Sequence, residues 1–286
     1  MTAFDYTSHD GTTIRGWAND APSGVPVVVA NGLGTPPSAW PSLVTKDSGF
    51  AVCTWYYRGT GGSARPADPA RITVDDHVHD MLALMDARGI DRALVACWSI
   101  GVNVAFELAE RHPDRVSGLL AVAGVPRGTF GAMFGPMKRA RRLRHRAAVA
   151  VTRGLRLAGP ALDRVASTVP LNGTTAWAIA HSGFLLPAAR PERLLPTLEE
   201  FRRHDFRWYF TLALAMADHA PMDVSFVRCP TTIVAGRYDI VTSRYAMEHA
   251  AARIPHARLV LLDGSHFLPL ERPDEIAALL RELAAD

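Results

Sequence analysis

The stretch that most constrains the fold is Arg92 to Ala105, which reads Arg-Ala-Leu-Val-Ala-Cys-Trp-Ser-Ile-Gly-Val-Asn-Val-Ala. Ala93 to Cys97 is an apolar run without polar alternation, the pattern of a strand buried on both faces of a parallel sheet. From Gly101 onward the period changes. Val102, Ala105, Phe106 and Ala109 recur at helical spacing as far as His112, and Pro113 ends the run. A buried strand therefore turns sharply into a helix, with Ser99 on the turn. Such a turn strains the backbone at the serine and calls for small residues two positions to either side. Gly101 meets that demand. Cys97 stands in the other position, so the sequence is C-x-S-x-G and leaves less room behind the turn.

The rest of the chain supplies more of the same rhythm. Phe4 to His9 and Thr12 to Ala18 are β-prone and joined at Asp10-Gly11, a hairpin signal. Val25 to Ala30 and Phe50 to Tyr56 read as strands, followed by Asn31-Gly32-Leu33-Gly34 and Arg58-Gly59-Thr60-Gly61-Gly62-Ser63. Thr73 to Arg88 is a punctuated helix: Thr73 caps it, Asp75 and Asp76 favour its N-terminus, and Gly89 closes it. Val116 to Val122 is another buried strand. Alternation of this kind predicts a parallel sheet covered by helices on both faces.

After Pro126 the rhythm lapses. Between Arg127 and Met222 no buried strand stands out, and helices are expected at Met137 to Leu157, Thr174 to Leu186 and Phe206 to His219. It returns with strands at Thr231 to Ala235 and Ala257 to Leu262 and helices at Ser243 to Arg253 and Asp274 to Leu283. The expected organisation is a core in two parts, 1–126 and 223–286, with a helical cap, 127–222, inserted after the sixth strand of a mostly parallel eight-stranded sheet.

Composition matters for what it excludes. With 48% hydrophobic and 21% charged residues the chain is expected to be an ordinary soluble globular protein, and a net charge of +3 gives no reason to expect a nucleic-acid partner. Three widely spaced cysteines, Cys53, Cys97 and Cys229, read as buried thiols in a reducing compartment. The first residues show no leader pattern and no apolar run approaches a membrane span, so the expected location is the cytoplasm.

A serine hydroxyl needs a base to attack at neutral pH, and the base needs an acid to orient it. Open α/β sheets place such groups at the carboxyl ends of their strands. Of eleven histidines, His266 in Asp263-Gly264-Ser265-His266-Phe267 follows the last strand directly. Asp239 follows the Thr231 to Ala235 strand in the same way, while Asp263, on the same strand end as His266, is expected to support the loop. Two backbone N–H groups are needed for the oxyanion of a tetrahedral intermediate. Ile100, next to the nucleophile, supplies one, and Leu33, between Gly32 and Gly34, the other.

These motifs together resemble the cap-bearing α/β-hydrolase superfamily: the Asn31 to Gly34 loop, the Arg58 to Ser63 turn, the serine elbow, Cys229-Pro230 leading to Asp239, and Gly264-Ser265-His266-Phe267. The resemblance covers roughly residues 10 to 125 and 223 to 286. It implies a hydrolase, typically of carboxylic esters, that uses neither metal nor organic cofactor. Two departures stand out, Asn31 where the family usually has His and Cys97 where it usually has Gly. The expected substrate is an apolar small-molecule ester. Acyl transfer, thioester or carbon–carbon hydrolysis by the same three side chains, and a ligand receptor without turnover, are the alternatives.

Other signals carry less. Gly59-Thr60-Gly61-Gly62-Ser63-Ala64 fits a dinucleotide fingerprint, but Arg65, Pro66 and Pro69 follow where a helix N-terminus would be required, so it reads as a structural turn. His77 and His79 fall on nearly opposite faces of their helix and do not share a metal. Lys138 to Arg146 is strongly basic; it reads first as a solvated face of the cap, with weak contact to anionic lipid or to a substrate anion as alternatives. Trp98 beside the serine, and Trp177, Phe184 and Trp208 in the cap, are candidates to line the substrate pocket, although aromatics at helical spacing are more often core.

Overall fold

Each buried apolar run of the sequence becomes a sheet strand, because a run without polar alternation is stable only with both faces covered. The computed structural model describes residues 1–133, 141–217 and 223–285. Its strands are β1 (Thr2–Thr7), β2 (Thr13–Ala18), β3 (Val25–Ala30), β4 (Phe50–Trp55), β5 (Ala93–Trp98), β6 (Val116–Val122), β7 (Thr231–Gly236) and β8 (Arg258–Leu262). They form one sheet in the order β1-β2-β4-β3-β5-β6-β7-β8. β2 runs antiparallel to both β1 and β4, and every other pairing is parallel. The described helices are α1 (Val74–Ala87), α2 (Gly101–Arg111), α3 (Thr129–Ala132), α4 (Arg141–Thr168), α5 (Gly173–Ala180), α6 (Pro191–Phe201), α7 (Phe206–Ala217), α8 (Arg244–Ala251), α9 (Leu268–Glu271) and α10 (Pro273–Ala285).

The two faces of the sheet belong to two cores, and side chains alternate between them with the period of a strand. Val28, Ala30, Val95, Cys97, Leu119 and Ala121 join α1, α2 and α8 on one side. Val27, Val29, Leu94, Ala96, Trp98 and Leu120 meet Trp40 and α10 on the other. α1 starts at a full capping box, in which the Thr73 hydroxyl accepts from the Asp76 amide and the Asp76 carboxylate accepts from the Thr73 amide. Such a cap is worth about 1 kcal/mol.

Helices α3 to α7 lie between β6 and β7, the insertion expected after the sixth strand. Its interior differs from the expected helices. Met137 to Ala140, which include the first residues of the basic run, fall outside the described residues, as does His219 at the end of the expected Phe206 helix. α4 continues past Leu157, through Pro160, to Thr168. α5 stops at Ala180 instead of Leu186, since the chain turns at His181 and Gly183 takes a left-handed φ of 80°. α6 occupies a stretch where the sequence pattern predicts no helix; it begins on Pro191 and contains Pro196. α4 and α7 pack closely at Gly159, where a Cβ would lie 2.5 Å from the Arg207 amide nitrogen. Among the described residues no helix is long and apolar enough to cross a membrane.

Candidate active site

The site is assembled at the carboxyl ends of β3, β5, β7 and β8. β5 passes into α2 through Ser99, whose φ of 56° lies in the left-handed region that a side chain rarely occupies. Glycines make room for that turn. At Gly101 a Cβ would sit 2.0 Å from the Ala30 carbonyl oxygen, and at Gly124 one would sit 2.4 Å from the Ser99 carbonyl oxygen. Cys97 fits in the first-glycine position because its side chain points into the core below α2, where Sγ lies 3.5 Å from the Leu120 carbonyl. Burial raises its thiol well above the ordinary range, so it stays protonated.

The three sequence candidates meet. His266 Nε2 is 2.9 Å from Ser99 Oγ, and His266 Nδ1 is 2.9 Å from Asp239 Oδ2. The Asp239 carboxylate is fully buried, and its other oxygen accepts from the amides of Val241 (2.8 Å) and Thr242 (2.7 Å). An ionised carboxylate only accepts, so Nδ1 carries the proton and donates to Asp239, leaving Nε2 to accept from the serine hydroxyl. Asp263 is turned elsewhere: it pairs with Arg237 at 2.6 Å, and its carbonyl accepts from Arg272. The Leu33 and Ile100 side chains are buried, and neither amide N–H donates to an acceptor among the described residues. Ile100 follows the serine directly at the start of α2, and Leu33 lies in the loop after β3.

Several residues that hold this arrangement were not singled out in the sequence. The Glu271 carboxylate is buried and accepts from the Ser265 amide, the Ser265 hydroxyl and the Leu186 amide, each at 2.7 Å. One carboxylate thus fixes the loop carrying His266 and the segment after α5. His204, between α6 and α7, donates from Nε2 to the Gly34 carbonyl at 2.7 Å. Its pKa lies below the ordinary histidine value because burial outweighs the favourable contact with that carbonyl. Gly34 has a φ of 69° and no space for a Cβ, which would meet His204 and Tyr209. Asn31 works structurally: its amide bonds Thr54 (3.2 Å) and accepts from Trp40 Nε1 (2.5 Å), and its carbonyl accepts from Tyr57 (2.8 Å).

The four aromatic candidates do not behave as one pocket wall. Trp98 is buried on the α10 side of the sheet and donates from Nε1 to the His266 carbonyl at 2.8 Å, so it supports the histidine loop from beneath. It belongs to the core because its position alternates away from the face that Cys97 occupies. Trp177 is exposed and stacks on His181. Phe184 is half exposed, edge-on to Phe267 at 5.0 Å between centroids. Trp208 spends its N–H on the Arg58 carbonyl (2.8 Å) with Arg65 over its ring, which docks the insertion on the core. His77 is buried with Nδ1 3.3 Å from Asp80, and His79 bonds the Asp75 carbonyl, so the two histidines serve separate partners.

Comparison with known proteins places this geometry in context. A family model described as alpha/beta hydrolase fold matches residues 25–273. Over 272 residues the chain is 28% identical to a protein of Caulobacter sp. (strain K31) named as a carbamate hydrolase, RutD, covering 91% of each. With the protein of the same name from Caulobacter segnis it shares 37% identity over 99 residues, 34% of this chain and 37% of that one. The crystal structure of an enol-lactonase from Burkholderia xenovorans superposes with a TM-score of 0.72 at 22% identity, over 98% of this chain and 100% of that one, a likeness of fold.

Proposed function

Because the chain belongs to the alpha/beta hydrolase fold family and so is an enzyme of the hydrolase type, we propose that it cleaves carboxylic esters of apolar small molecules through an acyl-enzyme on Ser99. The observation that carries this reading is the continuous chain of contacts from Ser99 through His266 to Asp239, at 2.9 Å and 2.9 Å, on a strained serine.

In this mechanism Ser99 Oγ attacks the carbonyl carbon while His266 Nε2 takes its proton, and Asp239 stabilises the imidazolium that results. Oxyanion charge falls to the amides of Leu33 and Ile100, whose contribution is about 3–4 kcal/mol for a single well-placed donor. His266 then returns its proton to the departing alcohol. Water, activated by the same imidazole, releases the acid. A serine nucleophile turns the site away from displacement at an alkyl carbon, which would leave an ether that water does not cleave, and suits a carbonyl centre. Helices α3 to α7 act as the cap that covers the acyl group, and the unpaired thiols of Cys53, Cys97 and Cys229 suit a reducing compartment such as the cytoplasm.

A carbamate is a second substrate class, supported by the relatives named as carbamate hydrolases. It needs the same machinery, because its carbonyl passes through the same tetrahedral oxyanion. Labelling with a fluorophosphonate probe tests the central claim: wild type is labelled to one equivalent and Ser99→Ala is not. Equal labelling of both would place the nucleophile elsewhere. Turnover of 4-nitrophenyl butyrate against 4-nitrophenyl N-methylcarbamate then ranks the two classes, and the ester is expected to turn over faster.

A further inference from the structure

The outer face of α4 has the opposite character to a solvated helix. Its inner side, with Ala148, Thr152 and Gly159, packs toward α7. Along the outer side Leu143, Val151, Leu157 and Val165 are 70%, 61%, 73% and 60% exposed, and Ala147, Ala150, Ala158 and Ala161 fill the gaps between them. A helix face meant for water carries polar residues at its centre; here the centre is aliphatic.

The charges have a pattern as well. Arg142, Arg153 and Arg164 recur every eleven residues, which is three helical turns, so they stand in one row beside the aliphatic stripe. Arg146 falls on the same edge. All four are exposed, and none has an ion-pair partner among the described residues. The one acidic residue of α4, Asp163, accepts from the Phe206 amide on the inner side.

We propose that this face of α4 docks on an anionic lipid surface. The stripe enters the boundary between headgroups and acyl chains, and the arginine row lies against lipid phosphates. Charge complementarity favours this occupant over a second copy of the chain, because the face of α4 that a two-fold contact would bring up carries no acid to meet the arginine row. Guanidinium groups pair with phosphate oxygens in forked geometry, and the aliphatic centre supplies the apolar area that such peripheral binding requires.

Co-sedimentation with vesicles at low ionic strength tests it, using an equal mixture of phosphatidylglycerol and phosphatidylcholine against phosphatidylcholine alone. The whole protein pellets with the mixed vesicles and stays in solution with the neutral ones. Leu143→Asp with Leu157→Asp abolishes pelleting, and Arg153→Gln with Arg164→Gln weakens it by roughly tenfold or more, given about 1 kcal/mol per arginine near a charged surface. Every replaced side chain is exposed, so unchanged melting by circular dichroism shows that both variants are folded. Absence of pelleting with the mixed vesicles, or equal pelleting of wild type and both variants, overturns the proposal. So does a dimer in sedimentation equilibrium without lipid that Leu157→Asp dissolves, since the stripe would then belong to a second copy.

Discussion

At Ser99 the fold stores backbone strain at the residue proposed to react. A left-handed backbone costs a side-chain-bearing residue about 1–2 kcal/mol, and the surrounding contacts of Gly101 and Gly124 hold it there. Ser99→Gly and Ser99→Ala both remove the hydroxyl and so eliminate turnover. They should differ in stability, because glycine occupies this region freely while alanine retains the strain. Part of that gain is offset by the larger unfolded-state entropy of glycine. Urea denaturation is expected to show Ser99→Gly more stable than Ser99→Ala by about 0.5–1 kcal/mol. A glycine variant no more stable than the alanine variant would mean that the turn holds no strain. That Ser99, His266 and Asp239 would meet was readable from sequence, because few polar residues stand directly at the ends of its strands. Glu271 and His204 were not: His204 reaches Gly34 across the chain, and Glu271 ties the nearby Ser265 to the distant Leu186, proximities that only the packed helices create.

At the level of elements, the insertion is attached to both halves of the site. His204 reaches the β3 loop at Gly34, and the Leu186 amide shares the Glu271 carboxylate with the His266 loop. In Glu271→Gln the three N–H and O–H donors lose one of their two accepting oxygens, and an NH2 faces a donor instead. A charge-assisted hydrogen bond contributes about 1.5–3 kcal/mol, so stability should fall by that amount. His266 loses its fixed position, and kcat should fall about tenfold or more with a smaller change in KM, because positioning matters most at the transition state. Parallel measurements of kcat and KM on a chromogenic ester decide this; an unchanged kcat would reduce Glu271 to a scaffold residue.

His204 has a lowered pKa, so its neutral form is favoured in the folded state. Its contribution is complete above the ordinary value, about 6.5, and is lost as pH falls from there toward the lowered value. The slope from this one group reaches at most about 1.4 kcal/mol per pH unit. His204→Gln keeps a donor for Gly34 and cannot titrate, so the decline in stability just below pH ~6.5 should flatten. Identical slopes in the two proteins would remove His204 from the account. Such links explain why the insertion was less legible than the sheet. Val25–Ala30 and Val116–Val122 coincide with their expected runs, because burial on two faces leaves a plain apolar signature. α6 hides behind Pro191 and Pro196; the first suits a helix start, while the second removes an interior hydrogen bond that only packing on the core repays.

Across the whole molecule, Arg58 joins the β1–β2 turn, α1 and the insertion. Its buried guanidinium bonds Asp80 on α1 (2.7 Å), Asp10 in the β1–β2 turn (2.5 Å), the Ser8 hydroxyl and the Arg71 carbonyl, and its own carbonyl receives Trp208 of the insertion. Burial alone would raise both carboxylates, yet hydrogen bonds from Thr12 and Arg58 hold Asp10 down to about 2, and hydrogen bonds from His77 and Arg58 keep Asp80 below its ordinary value. Both contributions are present above about pH 3.8 and are lost as pH falls below it. Arg58→Met changes the balance by leaving Asp80 buried beside His77 without its cation. Breaking a buried pair in this way costs about 3–5 kcal/mol at neutral pH, whereas Arg58→Met combined with Asp80→Leu should recover much of that loss. The pH dependence of the single variant should also reverse. Burial without the guanidinium favours the neutral form of Asp80, so its protonation relieves the uncompensated charge. The variant's stability therefore rises as the solution is acidified, where the wild type loses the contribution of its ionised Asp80. Urea midpoints across that range, for wild type, the single variant and the double variant, measure both effects. A single variant that weakens steadily toward acid pH would show that Asp80 does not depend on Arg58 for its charge.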